Sequence, residues 1–359
     1  MAFTAEEIAN INNATLEAFI DKGKVWVQNV ANKPMLQAFN AAAGKFSGGK
    51  DYVSFGVKSG QGGGSLSGYT GDDQLSYYNP VGIKRAKFPW KEHFIGQQVT
   101  HTELKIDGID IVEDDGEVST SPMDGREDHA LANLLDEKNE TLGEDFAFSF
   151  DRLLHSDGST DAKAFAGIQS IILDVPAAGM TGSLSRVANP YWRNRAATVV
   201  NGLAGGQDAI TSATANGGAL IEFLEKEWLL LSKYRKGSTR YKLFAGSDFI
   251  AAYRKEMRAN GYYTTNGLGG KVDGSQGAVE WKQIPIEWDP TLDDIGLSKR
   301  MYVLDMGRTG LRLLYLNGKR MSKHKPARPY DRMVMYNGIS TTCVLIAKQL
   351  NTSAVYDIK

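Results

Sequence analysis

The stretch TGSLSRVANPYWRNR, residues 181–195, places three arginines, a tyrosine and a tryptophan behind a glycine and around an Asn-Pro break. An Asn-Pro pair is a turn signal, so we expect a loop here rather than a helix. Arginine and tryptophan are enriched at the centres of protein interfaces, and a guanidinium can bridge carboxylates or stack on rings. We therefore interpret four residues as packing and contact residues, with a purely structural role inside one domain as the alternative: Arg186, Trp192, Arg193 and Arg195.

A long helix is predicted before this stretch, over residues 121–157. Ser121 suits the N-cap and Pro122 the first turn. The apolar residues fall on one helical stripe, namely Leu131, Leu135, Leu142, Phe146, Phe150 and Leu153. About 30 residues at 1.5 Å per residue extend roughly 45 Å, and Gly143 is a candidate for a kink. Because a typical helix has only about 11 or 12 residues, one this long indicates an element that spans a whole layer of the fold or an interface.

A long excursion is predicted further towards the amino terminus. The strand-like segment DYVSFGV, residues 51–57, runs into a tip rich in glycine and serine, and residues 81–107 have the composition of a long strand or an extended pair. The tip contains Gly60, Gly62, Gly63 and Gly64. About 60 residues of this kind are improbable inside one compact domain unless something outside the subunit receives them. Residues 4–23 and 27–43, before the excursion, have the pattern of amphipathic helices.

The carboxyl-terminal half mixes helices and strands. We expect helices over residues 219–237 and 247–261, and strands over residues 240–246 and near residues 278–288, 301–316 and 333–350. The order lacks a regular βαβ alternation, which is the signature of an α+β fold.

The composition limits the classes of protein. With 359 residues the chain exceeds the usual size of a single core, so we expect two or more subdomains. The 41 basic and 42 acidic side chains give a net charge of −1, which argues against a protein that wraps nucleic acid. The single cysteine, Cys343, lies in an apolar, strand-like segment that favours a buried thiol and a reducing compartment. No run reaches the ~18 apolar residues of a membrane span and no secretory signal is recognised, so we expect no contact with a membrane.

Motifs for enzymatic chemistry fail at specific positions. The segment from Gly44 to Asp51 approaches a phosphate-binding loop, but Asp51 replaces the hydroxyl that would bind the metal. The cluster at Gly60–Gly64 lacks the closing glycine of a dinucleotide-binding loop, and neither Ser65 nor Ser67 stands in a nucleophile elbow. The five histidines show no ligand spacing: His93, His101, His129, His155 and His324. We therefore predict no catalytic residue, no metal site and no cofactor.

Two charged runs stand out. Residues 107–117 hold six acidic side chains and no basic one, which favours a solvated acidic turn over a calcium loop. Residues 318–332 are basic and include Arg320 and Arg328. For this basic run a solvated face, a subunit contact and a nucleic-acid contact all remain open. We add Arg320 and Arg328 to the candidate assembly contacts, together with Trp90 in the returning half of the excursion.

In this order, the excursion, the long helix and the 181–195 stretch resemble the major capsid protein of tailed bacteriophages, the Hong Kong phage type capsid fold. The most specific match is a small-residue turn followed by an arginine and an aromatic W-R-N, at Gly182, Arg186, Trp192, Arg193 and Asn194. The resemblance covers nearly the whole chain and implies the following layout: residues 1–45 an N-terminal arm, 46–110 an E-loop β-hairpin, 111–164 a peripheral domain with the spine helix, 165–325 an axial domain, and 326–359 the return to the peripheral domain and the carboxyl terminus.

The resemblance implies a structural protein and no enzyme. Copies would self-assemble as pentamers and hexamers into an icosahedral shell around double-stranded DNA, held without sequence-specific binding. The implied partners are a separate scaffolding protein, a portal protein and a decoration or cement protein. A separate scaffolding protein is expected because the chain starts with only a short arm. The implied location is the virion capsid, after synthesis and assembly in the host cytoplasm. An encapsulin-like compartment and an enzyme with an unrecognised site remain alternatives.

Glycines at the tip would let one sequence adjust to quasi-equivalent positions in such a shell, which makes Gly60, Gly62, Gly63 and Gly64 candidate assembly contacts. Some relatives also crosslink an E-loop lysine to a peripheral-domain asparagine. The residues in the matching regions are Lys58, Lys84, Lys87 and Asn337.

Overall fold

The computed structural model describes residues 3–4, 32–58, 66–75, 77–78, 83–100, 102–103, 111–112, 125–198, 218–259, 279–324, 332 and 334–358. Several predictions lie outside the described residues: the helical pattern over 5–31, the N-cap at Ser121, Gly60, Gly62, Gly63 and Gly64 of the tip, and Arg328.

The strands are β1 Phe3–Thr4, β2 Gly44–Phe46, β3 Tyr52–Val57, β4 Lys84–Pro89, β5 Lys91–Thr100, β6 Ile111–Val112, β7 Met180–Thr181, β8 Leu184–Ser185, β9 Arg195–Ala197, β10 Tyr241–Ala245, β11 Glu280–Trp281, β12 Ile284–Trp288, β13 Arg300–Asp305, β14 Leu311–Leu316, β15 Ser322–His324, β16 Val334–Ala347 and β17 Ala354–Asp357. The helices are α1 Pro34–Ala41, α2 Gly125–His155, α3 Ile168–Ile171, α4 Ala219–Ser232, α5 Ser247–Ala259 and α6 Pro290–Asp294.

Two sheets organise the described chain. The first has six strands in the order β11-β12-β10-β13-β17-β9. The second has five strands and is centred on β16, which pairs with β5 along one edge and with β14 and β15 along the other, while β2 pairs with β14. Helices and strands mix without a regular βαβ alternation, so the α+β prediction is confirmed.

The long helix α2 is 31 residues long, as the sequence pattern predicts, and continues through Gly143. Leu142, Phe146 and Phe150 of the predicted stripe are buried, and the rings of Phe146 and Phe150 stack with centroids 5.8 Å apart. Residues four apart face the same side of a helix, which is why these side chains meet. The stripe packs into the main apolar core, which also contains β14, β16 and α3 residues.

The excursion forms a two-stranded hairpin that pairs with neither sheet, although Val57, Ala86 and Phe88 pack into the main apolar core. Strands β3 and β4 pair antiparallel from Tyr52 opposite Pro89 to Val57 opposite Lys84, and they pair with no further strand of the described chain. Strand β5 follows β4 after Trp90 alone and enters the five-stranded sheet beside β16. The extended pair predicted over residues 81–107 is therefore two strands with different partners.

Two short segments carry the chain from one sheet to the other. It passes from β13 in the six-stranded sheet to β14 in the five-stranded sheet through residues 306–310, and it returns from β16 to β17 through residues 348–353. Strands β14 and β15 thus lie in the sheet of β16, although they fall within the range 165–325 predicted as axial. Strand β17 lies in the other sheet, although it falls within the predicted return. The domain boundaries remain predictions.

Cys343 lies on β16 and is buried. Burial raises the pKa of its thiol to about 12. The prediction of a buried core thiol is confirmed.

Candidate assembly surfaces

The 181–195 stretch begins as a tight hairpin between β7 and β8. Its two turn residues, Gly182 and Ser183, have φ values of 59° and 62°, in the left-handed region. A Cβ at Gly182 would lie 2.8 Å from the ring of Phe88, and the carbonyl of Gly182 accepts a hydrogen bond of 2.8 Å from the backbone N–H of Lys87. Only glycine tolerates both the backbone conformation and the close approach, so the motif supports β4 of the projecting hairpin.

Arg186 is buried completely, and neutral groups satisfy its guanidinium. Nε donates to Oγ1 of Thr181 at 2.9 Å, Nη1 donates to Oδ1 of Asn194 at 2.5 Å, and Nη2 donates to the carbonyl of Ile171. Burial, with a smaller contribution from the nearby charge of Arg193, lowers the pKa of Arg186 to about 10. The guanidinium therefore links the start of the motif to its end and to α3.

Trp192 is 1% exposed, and its indole N–H donates to the carbonyl of Thr181 at 3.0 Å. Arg186 and Trp192 have no side-chain surface left to offer a neighbouring subunit. Their burial supports a structural role inside one domain, and as assembly contacts these two residues remain predictions.

Arg193 and Arg195 keep some exposed surface. Arg193 donates to the carbonyls of Arg186 and Val187 at 2.9 and 3.4 Å. Arg195 makes a bidentate pair with Glu227, at 2.5 and 2.9 Å. Burial opposes the charge of Arg195, but the hydrogen bonds and the charge of Glu227 outweigh it and raise the pKa. As assembly contacts, these two residues remain predictions.

Trp90 and Arg320 each make a hydrogen bond to a different part of the chain. Trp90 is half-buried at the base of the hairpin, and its indole N–H donates to the carbonyl of Lys50 at 2.6 Å. Arg320 is exposed and donates to the carbonyl of Asn40 at 2.8 Å, which ties the turn after β14 to α1. Both retain surface for a partner, and both remain predictions.

The crosslink candidates fall into two places. Lys58, Lys84 and Lys87 are exposed at the hairpin, where Lys84 donates to Oδ1 of Asn189 at 2.8 Å and Lys87 lies 5.0 Å from the ring centroid of Tyr52. Asn337 is buried in β16, opposite Gln97 of β5. The crosslink stays a prediction.

The feature that sequence reasoning missed is a run of exposed apolar side chains in the loop between β3 and β4, here called the apolar loop. Each large apolar residue that the structure describes in this loop has an exposed fraction of 52% or more: Leu66, Tyr69, Leu75, Tyr77, Tyr78 and Ile83. Single exposed apolar residues are ordinary, but a concentration of this kind marks an interaction site. The glycines and serines of this segment indicate backbone freedom, whereas its three tyrosines are the sequence signal for an exposed apolar surface.

Two negative observations apply to the described part of the chain. Within it, no group of three or more His, Cys, Asp and Glu side chains is placed to hold a metal ion. None of the helices in that part is long and apolar enough to cross a membrane.

No protein-family model and no curated protein sequence matches this chain. Solved structures do match it over nearly its whole length. The capsid of cyanophage A-1(L) aligns with a TM-score of 0.57 at 16% identity, covering 92% of this chain and 93% of that one. The capsid of Myoviridae phage XM1 aligns with a TM-score of 0.52 at 11% identity, covering 90% and 91%. The capsid of a native GTA particle aligns with a TM-score of 0.50 at 12% identity, covering 89% of each chain.

This chain has the tailed-phage capsid fold. By the layout that the resemblance implies, we interpret the hairpin of β3 and β4 as the E-loop and α2 as the spine helix. At identities of 11–16% the likeness concerns the fold.

The E-loop and the spine helix carry opposite charges. The E-loop strands and their ends present four exposed cations, Lys58, Lys84, Arg85 and Lys87. The spine helix presents three exposed carboxylates within two turns, at Glu140, Glu144 and Asp145. The hairpin strands therefore present mainly cations, although exposed Asp51, Asp72 and Asp73 lie just before β3 and in the apolar loop, and this part of the spine helix presents carboxylates.

Proposed function

We propose that this protein is the structural subunit of an icosahedral shell that encloses the double-stranded DNA of a tailed phage. The capsid fold supports a shell subunit, and the apolar loop is the single observation that carries self-assembly. A lone chain leaves these large side chains in water, whereas a neighbouring copy would cover them.

The free energies of burial and of association favour an assembly in which each subunit makes many weak contacts. Full burial of one large apolar side chain contributes about 1.5–3 kcal/mol, so six such residues supply about 9–18 kcal/mol. Association costs an estimated 4–15 kcal/mol or more in lost freedom. One E-loop contact alone is therefore marginal, and a stable assembly needs each subunit to contact several neighbours. Closed symmetry meets this requirement, and pentamers and hexamers are the capsomers we propose.

Charge complementarity favours a second copy as the receiver of the E-loop. The cations of one E-loop would lie against the carboxylates of a neighbouring spine helix, which fixes the register of the contact and disfavours wrong partners. A net charge of −1 suits a container that holds DNA without sequence-specific binding. The proposal includes a separate scaffolding protein, a portal and a decoration protein as partners, host cytoplasm as the place of assembly, and the virion capsid as the final location.

Negative-stain microscopy and mass measurement of the purified full chain, with and without a scaffold, test the proposal. We expect capsomers or particles of large mass. The double variant Leu66→Ser, Tyr77→Ser should assemble poorly because it removes two exposed apolar side chains of the apolar loop. The control Met180→Ser, Val187→Ser changes two residues that are also well exposed but lie outside the E-loop, and it should assemble normally.

A strictly monomeric wild-type chain at high concentration under both conditions would refute the proposal. Particles that contain an enzyme cargo in place of DNA and a portal vertex would assign the shell to an encapsulin-like compartment.

A further inference from the structure

Six exposed cations gather where the chain crosses between its two sheets. Four lie after α4, at Lys233, Arg235, Lys236 and Arg240, and two lie in the crossover segments, at Arg308 and Lys348. We call these six residues the crossover patch. The sequence contains no acidic residue between Glu227 and Asp248, so the first four have no carboxylate close to them along the chain.

Backbone and side-chain contacts bring the three segments together. The N–H of Met306 donates to the carbonyl of Arg240 at 2.8 Å. The hydroxyls of Ser238 and Thr309 are 3.3 Å apart. The side-chain amide of Gln349 donates to the carbonyl of Tyr234 at 3.0 Å. The six cations therefore belong to one surface, although the segments that carry them extend over more than 100 residues of the sequence.

The nearest acidic group in these contacts is withdrawn from the surface. Asp305 is buried and accepts hydrogen bonds from the N–H groups of Arg240 and Gly307 and from the hydroxyl of Thr352, at 3.1, 2.8 and 3.1 Å. Within the described chain, none of the six cations forms an ion pair with a carboxylate. A patch of this kind attracts a polyanion from outside the chain.

We infer that the crossover patch contacts the phosphate backbone of DNA. The ring of Tyr234 is 42% exposed among the cations, with Nζ of Lys233 5.8 Å from its centroid, and tyrosine is one of the side chains that contact phosphate oxygens beside Lys and Arg. The choice of DNA over an acidic protein rests on the proposed function, which places DNA inside the shell. Such a contact is sequence-independent, and its strength falls steeply with salt.

The test measures binding of a fluorescently labelled 30-base-pair duplex to the unassembled full chain by anisotropy, from about 50 to 200 mM salt. The patch variant is Arg235→Gln, Lys236→Gln, Arg240→Gln. The matched control is Lys163→Gln, Lys255→Gln, Lys299→Gln, which removes the same charge from exposed positions on other elements. Each neutralised phosphate contributes about 0.9 to the slope of log K against log salt, so the patch variant should lose up to about 3 from that slope and about tenfold or more in affinity at 0.1 M salt.

The control should keep most of the wild-type slope and affinity. Equal losses in the two triple variants would overturn the inference, since they would show a general charge effect. Failure of the wild type to bind the duplex at low salt while it binds poly-glutamate would also overturn it and assign the patch to an acidic protein. Microscopy of the same preparations keeps the two proposals separate, because normal shells without DNA binding contradict only the crossover patch.

Discussion

Nε2 of His155, at the end of the spine helix, lies 3.0 Å from Oδ2 of Asp289, the residue that caps α6. Nδ1 of the same ring lies 2.8 Å from the backbone carbonyl oxygen of Asp151. An ionised carboxylate and a carbonyl can only accept hydrogen bonds. When the ring is protonated, both nitrogens donate, and these two acceptors stabilise the positive charge of the buried ring.

This ring belongs to a buried cluster that joins three parts of the chain. Asp151 of the spine helix also pairs with Nζ of Lys33 at 3.2 Å and accepts from the hydroxyl of Thr291 at 2.5 Å. Asp289 donates its backbone N–H to the carbonyl of Ala245 in β10, at 3.1 Å. With His155 protonated, two cations and two carboxylates balance where α1, the spine helix and the six-stranded sheet meet.

The first prediction concerns the pH dependence of stability. Burial opposes the charge of His155, but Asp289 and Asp151 outweigh it and raise the pKa of the ring above its ordinary value of 6.5. A group with a raised pKa in the folded state stabilises fully below its unfolded pKa, and the contribution is lost as the pH rises through the folded pKa. The melting temperature of the wild type should therefore exceed that of His155→Gln most at about pH 6, and the difference should shrink towards pH 9. The exposed residue His324, replaced by Gln, is the control, and a difference that stays constant or grows with pH would contradict the prediction.

The second prediction concerns Arg186. The substitution Arg186→Met removes the donors to Oγ1 of Thr181 and to the carbonyl of Ile171, and it leaves Oδ1 of Asn194 with the N–H of Leu173 at 3.1 Å. Each buried acceptor left unpaired costs about 1–3 kcal/mol. We expect a large fall in the free energy of unfolding, measured with urea on the unassembled chain. Arg193→Met is the matched control, since its partners are backbone carbonyls near the surface. Similar losses of unfolding free energy in the two variants would show that the buried hydrogen-bond network is not the source of the stability that Arg186 contributes.

The spine helix was predictable because its apolar residues repeat at helical spacing over many turns. The separate partners of β4 and β5, which are β3 and β16, were not predictable. Alternation along a strand shows which side chains share a face but not which strand lies beside it. The burial of Arg186 was unpredictable for a related reason: a charged residue in a loop is ordinarily exposed, and only the assembled acceptors make its burial tolerable.

The segment over residues 301–316 shows how tertiary contacts divide a strand pattern. Its apolar residues predict one strand, but the structure breaks it into β13 and β14 at residues 306–310. At Gly310 a Cβ would lie 2.0 Å from the carbonyl oxygen of Asp305, so the chain turns sharply there. In the sequence, only Gly307 and Gly310 indicate this break between the two strands.

The third prediction concerns charge pairing between copies. Replacing Glu140, Glu144 and Asp145 by Lys places like charges opposite the proposed E-loop contact and should reduce assembly. Combining that triple variant with Lys58→Glu, Arg85→Glu and Lys87→Glu reverses both surfaces and should restore assembly at least in part, because the complementarity returns. Sedimentation velocity measures the assembled fraction. If the combined variant assembles no better than either triple variant alone, the E-loop does not receive its partner charges from the spine helix.

The last prediction is a graded series at three glycines, each changed to alanine and measured by thermal unfolding. A Cβ at Gly307 would lie 2.0 Å from the carbonyl oxygen of Ser238, which is backbone and cannot yield, so this variant should be the least stable. A Cβ at Gly338 would lie 2.3 Å from the ring of Phe94, but that ring is 60% exposed and can rotate away, so the loss should be smaller. A Cβ at Gly237 meets nothing within 4 Å, and alanine there should be neutral or stabilise by about 0.4–1 kcal/mol through the unfolded chain. If Gly338→Ala destabilised as much as Gly307→Ala, the ring of Phe94 would have to be fixed in place, and β5 and β16 would be packed more rigidly than its exposure indicates.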